Sequence, residues 1–305
     1  MLKNIVLNTI YAIAEKGKRI GINREKLKSF LFPLYRCFCK IQYKLFNNVY
    51  LYHVEIPVTQ KCTLRCKDCS FMMPYFEHPI DYDVENLLVY MDRLFASVDT
   101  IQIFRILGGE PFVYKDQDRI IAEAVSSLKA RTVDIVTNGT IVPHEKIIKT
   151  MKNSKLTVQI SDYGEISSNK EKLKLVCEEN GIKCILRSMT EKNWFSAGDL
   201  HFRGRVAKEI SEQLKHCGGI CRSFQNGKRY FCLRASFGTI LGIPDPSRDY
   251  VDFTNKMDIK EARKQIYELN QRKGFLACNY CDEGTGEYMP IPPAEQIKDQ
   301  EQISI

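Results

Sequence analysis

A chain of 305 residues with 44% hydrophobic and 27% charged residues has the make-up of an ordinary soluble globular protein, long enough for one sizeable core and a smaller appended unit. No internal repeat or low-complexity tract is visible, no apolar stretch approaches the ~20 residues of a membrane span, and the run at 5–14 is broken by Asn8 and Thr9 with no cleavage site behind it, so no secretory leader is expected. The twelve cysteines are therefore expected in a reducing, cytoplasmic compartment, where grouped cysteines bind metal more often than they pair.

The net charge of +8 is carried by residues 1–50, whose ten Lys and Arg face only Glu15 and Glu25. Leu2, Ile5, Val6, Thr9, Ile10 and Ile13, then Leu27, Phe30, Leu31, Leu34 and Phe38, recur at helical spacing and predict a basic amphipathic helical leader over 1–50. Such helices either pack on the main domain with their lysines in water or make peripheral contact with an anionic membrane surface.

Beyond the leader, β-rich runs at 54–59, 100–107, 132–137, 156–161 and 182–187 alternate with amphipathic segments. The latter are marked by Val84 to Phe95, by Ile120, Ile121, Ala124, Val125 and Leu128, by Ile147 to Met151, and by Leu173, Val176 and Cys177 with Gly181 as C-cap. Regular alternation implies an α/β fold with a parallel sheet, either open and doubly wound or a full or partial (β/α) barrel. After each of the first four runs comes an unusual loop: the cysteine loop, Gly108-Gly109-Glu110-Pro111, Asn138-Gly139, and Asp162-Tyr163-Gly164. In parallel α/β architectures such loops emerge on one face, where ligands bind. From about Trp194 the alternation stops, and a second, cysteine-rich unit is expected, with a helix marked by Ile259, Ala262, Ile266 and Leu269.

Cys62, Cys66 and Cys69 are spaced C-x3-C-x2-C, with no histidine before His78. Tetrahedral zinc and closed iron-sulfur clusters take four protein ligands, so one corner stays open. With Gly108-Gly109-Glu110-Pro111 after the second run and Thr137-Asn138-Gly139 after the third, the chain resembles the radical S-adenosylmethionine (SAM) enzymes. The resemblance implies a partial (β/α) barrel over 51–200 and a [4Fe-4S] cluster on Cys62, Cys66 and Cys69, with SAM on the fourth iron. It further implies SAM contacts at Gly108, Gly109, Glu110, Asn138, Ser161 and Arg187, and hydrogen abstraction by a 5′-deoxyadenosyl radical. The aromatic residue that usually precedes the family's third cysteine is Asp68 here, leaving Phe71 or the backbone to meet the adenine.

Cys221, Gly227, Cys232, Cys278 and Cys281 resemble the twitch domain, the shortened SPASM extension of this family, implying an auxiliary domain over 201–305 with a second [4Fe-4S] cluster. Four thiolates suit a zinc ribbon equally, and Cys217 could replace Cys221. Cys37, Cys39, Cys177 and Cys184 are expected to be core residues. The expected activity is oxidation or other modification of a small polar metabolite, such as a carbohydrate or aminocyclitol, with a peptide maturase as alternative and a non-catalytic zinc module as the alternative from another class. A flavodoxin or ferredoxin donor is implied by the family, and no nucleic-acid partner is expected. Asp162, Tyr163, His201 and Arg203 are candidates near a catalytic base.

Overall fold

The computed structural model describes residues 24–191, 194–217, 222–244, 248–286 and 291–298. The leader pattern at 2–13 lies outside them. By contact the chain divides into two compact units, Met1–Tyr50 and Leu51–Ile305. The first contains helix α1, Arg24–Phe46, on which Leu34, Ile41 and Leu45 recur as exposed apolar side chains. Among the described residues no helix is long and apolar enough to cross a membrane. Cys37, expected in the core, is exposed.

The larger unit is built on a five-stranded parallel sheet with its strands in sequence order: β1 (Tyr50–Pro57), β2 (Thr100–Leu107), β3 (Ala130–Thr137), β4 (Leu156–Asp162) and β5 (Cys184–Ser188). The connecting helices are α2 (Val84–Ala96), α3 (Gln117–Ser126), α4 (Glu145–Met151) and α5 (Lys170–Glu179). This is the α/β partial barrel that the alternation and the motifs predict. Among the described residues the sheet continues past β1 as an isolated parallel bridge from Glu55 to Ser223.

The two faces of the sheet differ. Val54, Ile56, Phe104, Ile106, Val133, Ile135, Val158 and Ile160 are fully buried, and Phe104 meets Phe95 of α2 with ring centroids 5.2 Å apart, so this face takes the helices. The opposite face carries a buried polar row. Arg105 pairs with Glu55 at 3.1 Å and with Asp134 at 3.3 Å, and Gln159 donates to the same Asp134 oxygen. His53 stands beside Glu55. Burial, with Arg105 and Arg222 close by, pushes its pKa down to about 3 and keeps it neutral.

Helix boundaries follow local chemistry. Asp83 caps α2 by accepting from Asn86 N–H at 2.9 Å. α5 ends as expected: Gly181 holds φ +64°, its N–H bonds Glu178 O at 3.1 Å, and Ile182 N–H returns to Cys177 O at 2.8 Å, a Schellman motif. Leu128 departs from expectation. Ser127 turns extended, α3 stops at Ser126, and Leu128 is 93% exposed instead of joining the apolar stripe.

Further along lie α6 (Ala207–His216), a small antiparallel sheet of β6 (Phe224–Gln225), β7 (Lys228–Tyr230) and β8 (Tyr250–Asp252), α7 (Leu233–Ile240), and α8 (Ile259–Gln271). α8 buries Ala262, Ile266 and Leu269 of its expected pattern, whereas Ile259 in its first turn is exposed. Asn226 and Gly227 turn the β6–β7 hairpin with φ of 45° and 80°.

Candidate functional site

The cysteine loop and the Gly-Gly loop touch through their backbones. Gly109 N–H donates to Thr59 O at 3.0 Å and Glu110 N–H to Lys61 O at 2.9 Å. A Cβ on Gly109 would stand 2.2 Å from Lys61 O and 2.8 Å from Cys62 Cβ, so only glycine permits this approach.

Glu110 faces inward and is fully buried. One carboxylate oxygen accepts from Phe112 N–H at 3.1 Å and from Thr137 Oγ1 at 2.8 Å; the other accepts from Asn138 N–H at 2.8 Å. Burial pushes its pKa up to about 7 against the pull of these three donors. Glu110 therefore ties the end of β2 to the end of β3. Its partners here are backbone and side-chain groups of this chain.

Asn138 completes the tie. Its Nδ2 donates to Thr63 Oγ1 at 3.0 Å and to Cys62 Sγ at 3.7 Å, while its Oδ1 accepts from Thr140 N–H at 3.0 Å. Cys62, Cys66 and Cys69 are close enough that ionising one opposes ionising another. With burial as the larger cause, the Cys62 thiol is pushed up to about 12 and the Cys66 thiol to about 11; the Cys69 thiol also rises, through burial. Such thiols ionise when a metal cation compensates them. No disulfide joins any described cysteines.

Ser161 and Arg187 stand opposite each other in the β4–β5 register, beyond the buried polar row. The Ser161 hydroxyl meets Tyr163, whose ring lies edge-on to Trp194 at 5.4 Å. Asp162 is held by Lys170 and accepts from Gly164 N–H, so its pKa falls; Arg203 is spanned by Asp282 and Asp199. Neither is placed as a free base. Phe71 packs edge-on to Phe237 of α7, with centroids 5.7 Å apart.

The C-terminal thiols gather around a cavity of about 260 Å³ lined by Cys217, Cys232, Cys278 and Cys281 together with Cys69 of the first loop. Cys221 lies outside the described residues. Cys217 ends α6, and Gly284, at φ +86°, lets the chain after Cys281 approach it; a Cβ there would stand 2.7 Å from Cys217 N. Arg205, which carried no signal in the sequence, clamps the Cys278–Cys281 turn by donating to both carbonyl oxygens, at 2.8 Å and 2.5 Å, and pairs with Asp282 at 2.8 Å. Among the described residues no three Cys, His, Asp or Glu side chains converge as one metal ion requires. A cubane, which takes each thiolate on a separate iron, needs no such convergence.

Residues 56–189 match the model of the Radical SAM superfamily. They form a radical SAM domain. The family uses SAM and a [4Fe-4S] cluster. Relatives of the domain include a GTP 3′,8-cyclase from Helicobacter pylori, 26% identical over 148 residues, covering 48% of this chain and 44% of the relative. One from Campylobacter jejuni is 34% identical over 110 residues, covering 34% of this chain and 32% of the relative. The chain thus spans less than half the length of the curated relatives named. Among solved structures, BtrN in complex with AdoMet and 2-DOIA is 16% identical, covering 82% of this chain and 98% of that one, with a TM-score of 0.48. Streptococcus suis SuiB bound to S-adenosylmethionine is 18% identical, covering 62% and 48%, with a TM-score of 0.38.

Proposed function

We propose that the protein is a radical SAM enzyme in which Cys62, Cys66 and Cys69 hold a [4Fe-4S] cluster open to SAM, and Cys217, Cys232, Cys278 and Cys281 hold an auxiliary cluster in a twitch-like region over 201–305. The observation that carries this is the single cavity lined by Cys69 and by all four of those C-terminal cysteines. When bound, the first cluster and SAM supply a 5′-deoxyadenosyl radical for hydrogen abstraction. Cys217, Cys232, Cys278 and Cys281 would hold the auxiliary cluster, which would supply a one-electron acceptor beside the cavity.

The chain's own residues prepare the site. Gly108 and Gly109 let the two loops close on each other's backbone, and the SAM amino group is proposed to sit beside that contact. Glu110 and Asn138 act as positioning residues that hold the loop ends together, and Asn138 also donates to Cys62 Sγ. Ser161, at the end of β4, and Arg187 are proposed to meet the ribose and carboxylate of SAM. Asp68, Tyr75, Gln213, Arg234 and Glu283 line the cavity beside the thiols. Such polar groups support a small polar metabolite, such as a carbohydrate or aminocyclitol, as the substrate. The reductant would be a flavodoxin or ferredoxin, and the compartment cytoplasmic. The exposed Leu34, Ile41, Leu45 and Phe46 of α1, interspersed with Arg36, Lys40 and Lys44, suit peripheral contact with an anionic membrane.

Cys66→Ala and Cys232→Ala test the assignment after anaerobic reconstitution. The first should abolish SAM-derived 5′-deoxyadenosine and keep the second cluster's iron and sulfide. The second should lose the auxiliary cluster and keep SAM cleavage. SAM cleavage by Cys66→Ala, or zinc without sulfide in the native chain, would end the proposal. Removing residues 1–45 should abolish liposome association and leave SAM cleavage intact.

A further inference from the structure

A segment with no motif of its own closes on the cysteine loop. Residues 294–297 run antiparallel to 65–67, with Cys66 paired to Gln296. Lys67 N–H donates to Glu295 O at 2.7 Å and Ile297 N–H to Arg65 O at 2.8 Å. The Gln296 side chain engages the same turn. Its Oε1 accepts from Arg65 N–H at 2.8 Å, and its Nε2 donates to Ala294 O at 2.6 Å and to Cys66 Sγ at 3.4 Å. Ala294, fully buried, holds φ +55°, a conformation that costs an L residue about 1–2 kcal/mol and persists only when surrounding contacts enforce it. Cys66 is 8% exposed beneath this cover.

We propose that residues 294–297 are a strap on the cysteine loop and that Gln296 is a positioning residue whose amide, by donating to Cys66 Sγ, raises the reduction potential of the first cluster. The proposal rests on Cys66 being a cluster ligand. An added electron spreads onto the ligand sulfurs, and a donor to sulfur favours the reduced state. Cys62 has its own donors in Leu64 N–H at 3.4 Å and Asn138 Nδ2 at 3.7 Å. Gln296 extends the same treatment to the second ligand from 230 positions away in the chain.

Three full-length variants separate the strap from the donor. Gln296→Leu removes the donor at similar length. Gln296→Glu keeps an acceptor for Arg65 N–H and cannot donate when ionised. Ile297→Pro deletes the N–H given to Arg65 O. In reconstituted protein, redox titration by electron paramagnetic resonance should show the first cluster's midpoint potential falling from wild type to Gln296→Leu to Gln296→Glu, with the second cluster's potential unmoved. In the metal-free chain, alkylation of Cys66 by iodoacetamide should be faster in Ile297→Pro than in wild type, with Cys177 as the buried reference. Unchanged potentials in both Gln296 variants at normal iron content overturn the donor role, and unchanged Cys66 alkylation in Ile297→Pro overturns the strap. A Cys66→Ala chain that keeps the first cluster's resonance signal would instead refute the ligand assignment beneath both.

Discussion

Gly109→Ala probes the contact on which the site is assembled. The new methyl carbon would stand 2.2 Å from Lys61 O, 2.6 Å from the Lys61 carbonyl carbon and 2.8 Å from Cys62 Cβ. All three are backbone atoms or fixed to backbone, so no rotamer change relieves the clash, and the two loops must separate. Separation strains or breaks the bonds from Gly109 N–H to Thr59 O and from Glu110 N–H to Lys61 O. Each is worth about 1 kcal/mol net, and overpacking adds about 1–3 kcal/mol, for a total of roughly 3–5 kcal/mol. A domain of this size loses about 2–4 °C in Tm per kcal/mol, so the metal-free chain should melt on the order of 10 °C lower. The displaced loop carries Cys62, so iron uptake should fail at the first site and persist at the second. Gly181→Ala is the control: φ there is +64° with nothing within 4 Å of the added carbon, and only the backbone strain of about 1–2 kcal/mol applies. Thermal unfolding by circular dichroism, with iron and sulfide counted after anaerobic reconstitution, reads both effects. If Gly109→Ala melts with Gly181→Ala and takes up the wild-type amount of iron, close approach of the two loops is not what requires glycine.

Glu110→Gln replaces one buried acceptor oxygen by an NH2 that must face either Asn138 N–H or the donors Phe112 N–H and Thr137 Oγ1. The expected cost is about 1–3 kcal/mol in chemical denaturation. The same variant tests a pH effect: burial raises the folded-state pKa of Glu110 from 4.5 to about 7, so the native state holds a proton the unfolded chain has lost. Its contribution is complete below pH 4.5 and disappears as pH rises through about 7, a fall of roughly 3 kcal/mol that Glu110→Gln should flatten. Cys217→Ser should lose the auxiliary cluster's iron, whereas Cys221→Ser should keep it; the reverse result would move the ligand to Cys221. Arg205→Ala strips the donors from the Cys278 and Cys281 carbonyls and should lower auxiliary iron retention during chelator challenge, with the first cluster unaffected.

What could be read from the chain is what depends on neighbours in sequence. The cysteine spacing, the Gly-Gly-Glu-Pro turn and Asn138-Gly139 are local patterns, and the strands announce themselves because β-branched and apolar residues recur on the face that takes the helices. α6 and the short strands β6 to β8 escaped because they are brief and polar and take their stability from packing.

Tertiary structure decided the rest. Only the fold turns Glu110 inward, a direction that composition argues against for a carboxylate and that two donors from the end of β3, with one from its own turn, make tolerable. Only the fold lines one cavity with Cys69 and Cys217, sets Arg205 on the Cys278–Cys281 turn, and lays Gln296 across Cys66. The residue types and spacings that can chelate iron are written along the chain. Which donors surround each sulfur is a matter of contacts between segments up to 230 residues apart, and no local pattern encodes those contacts.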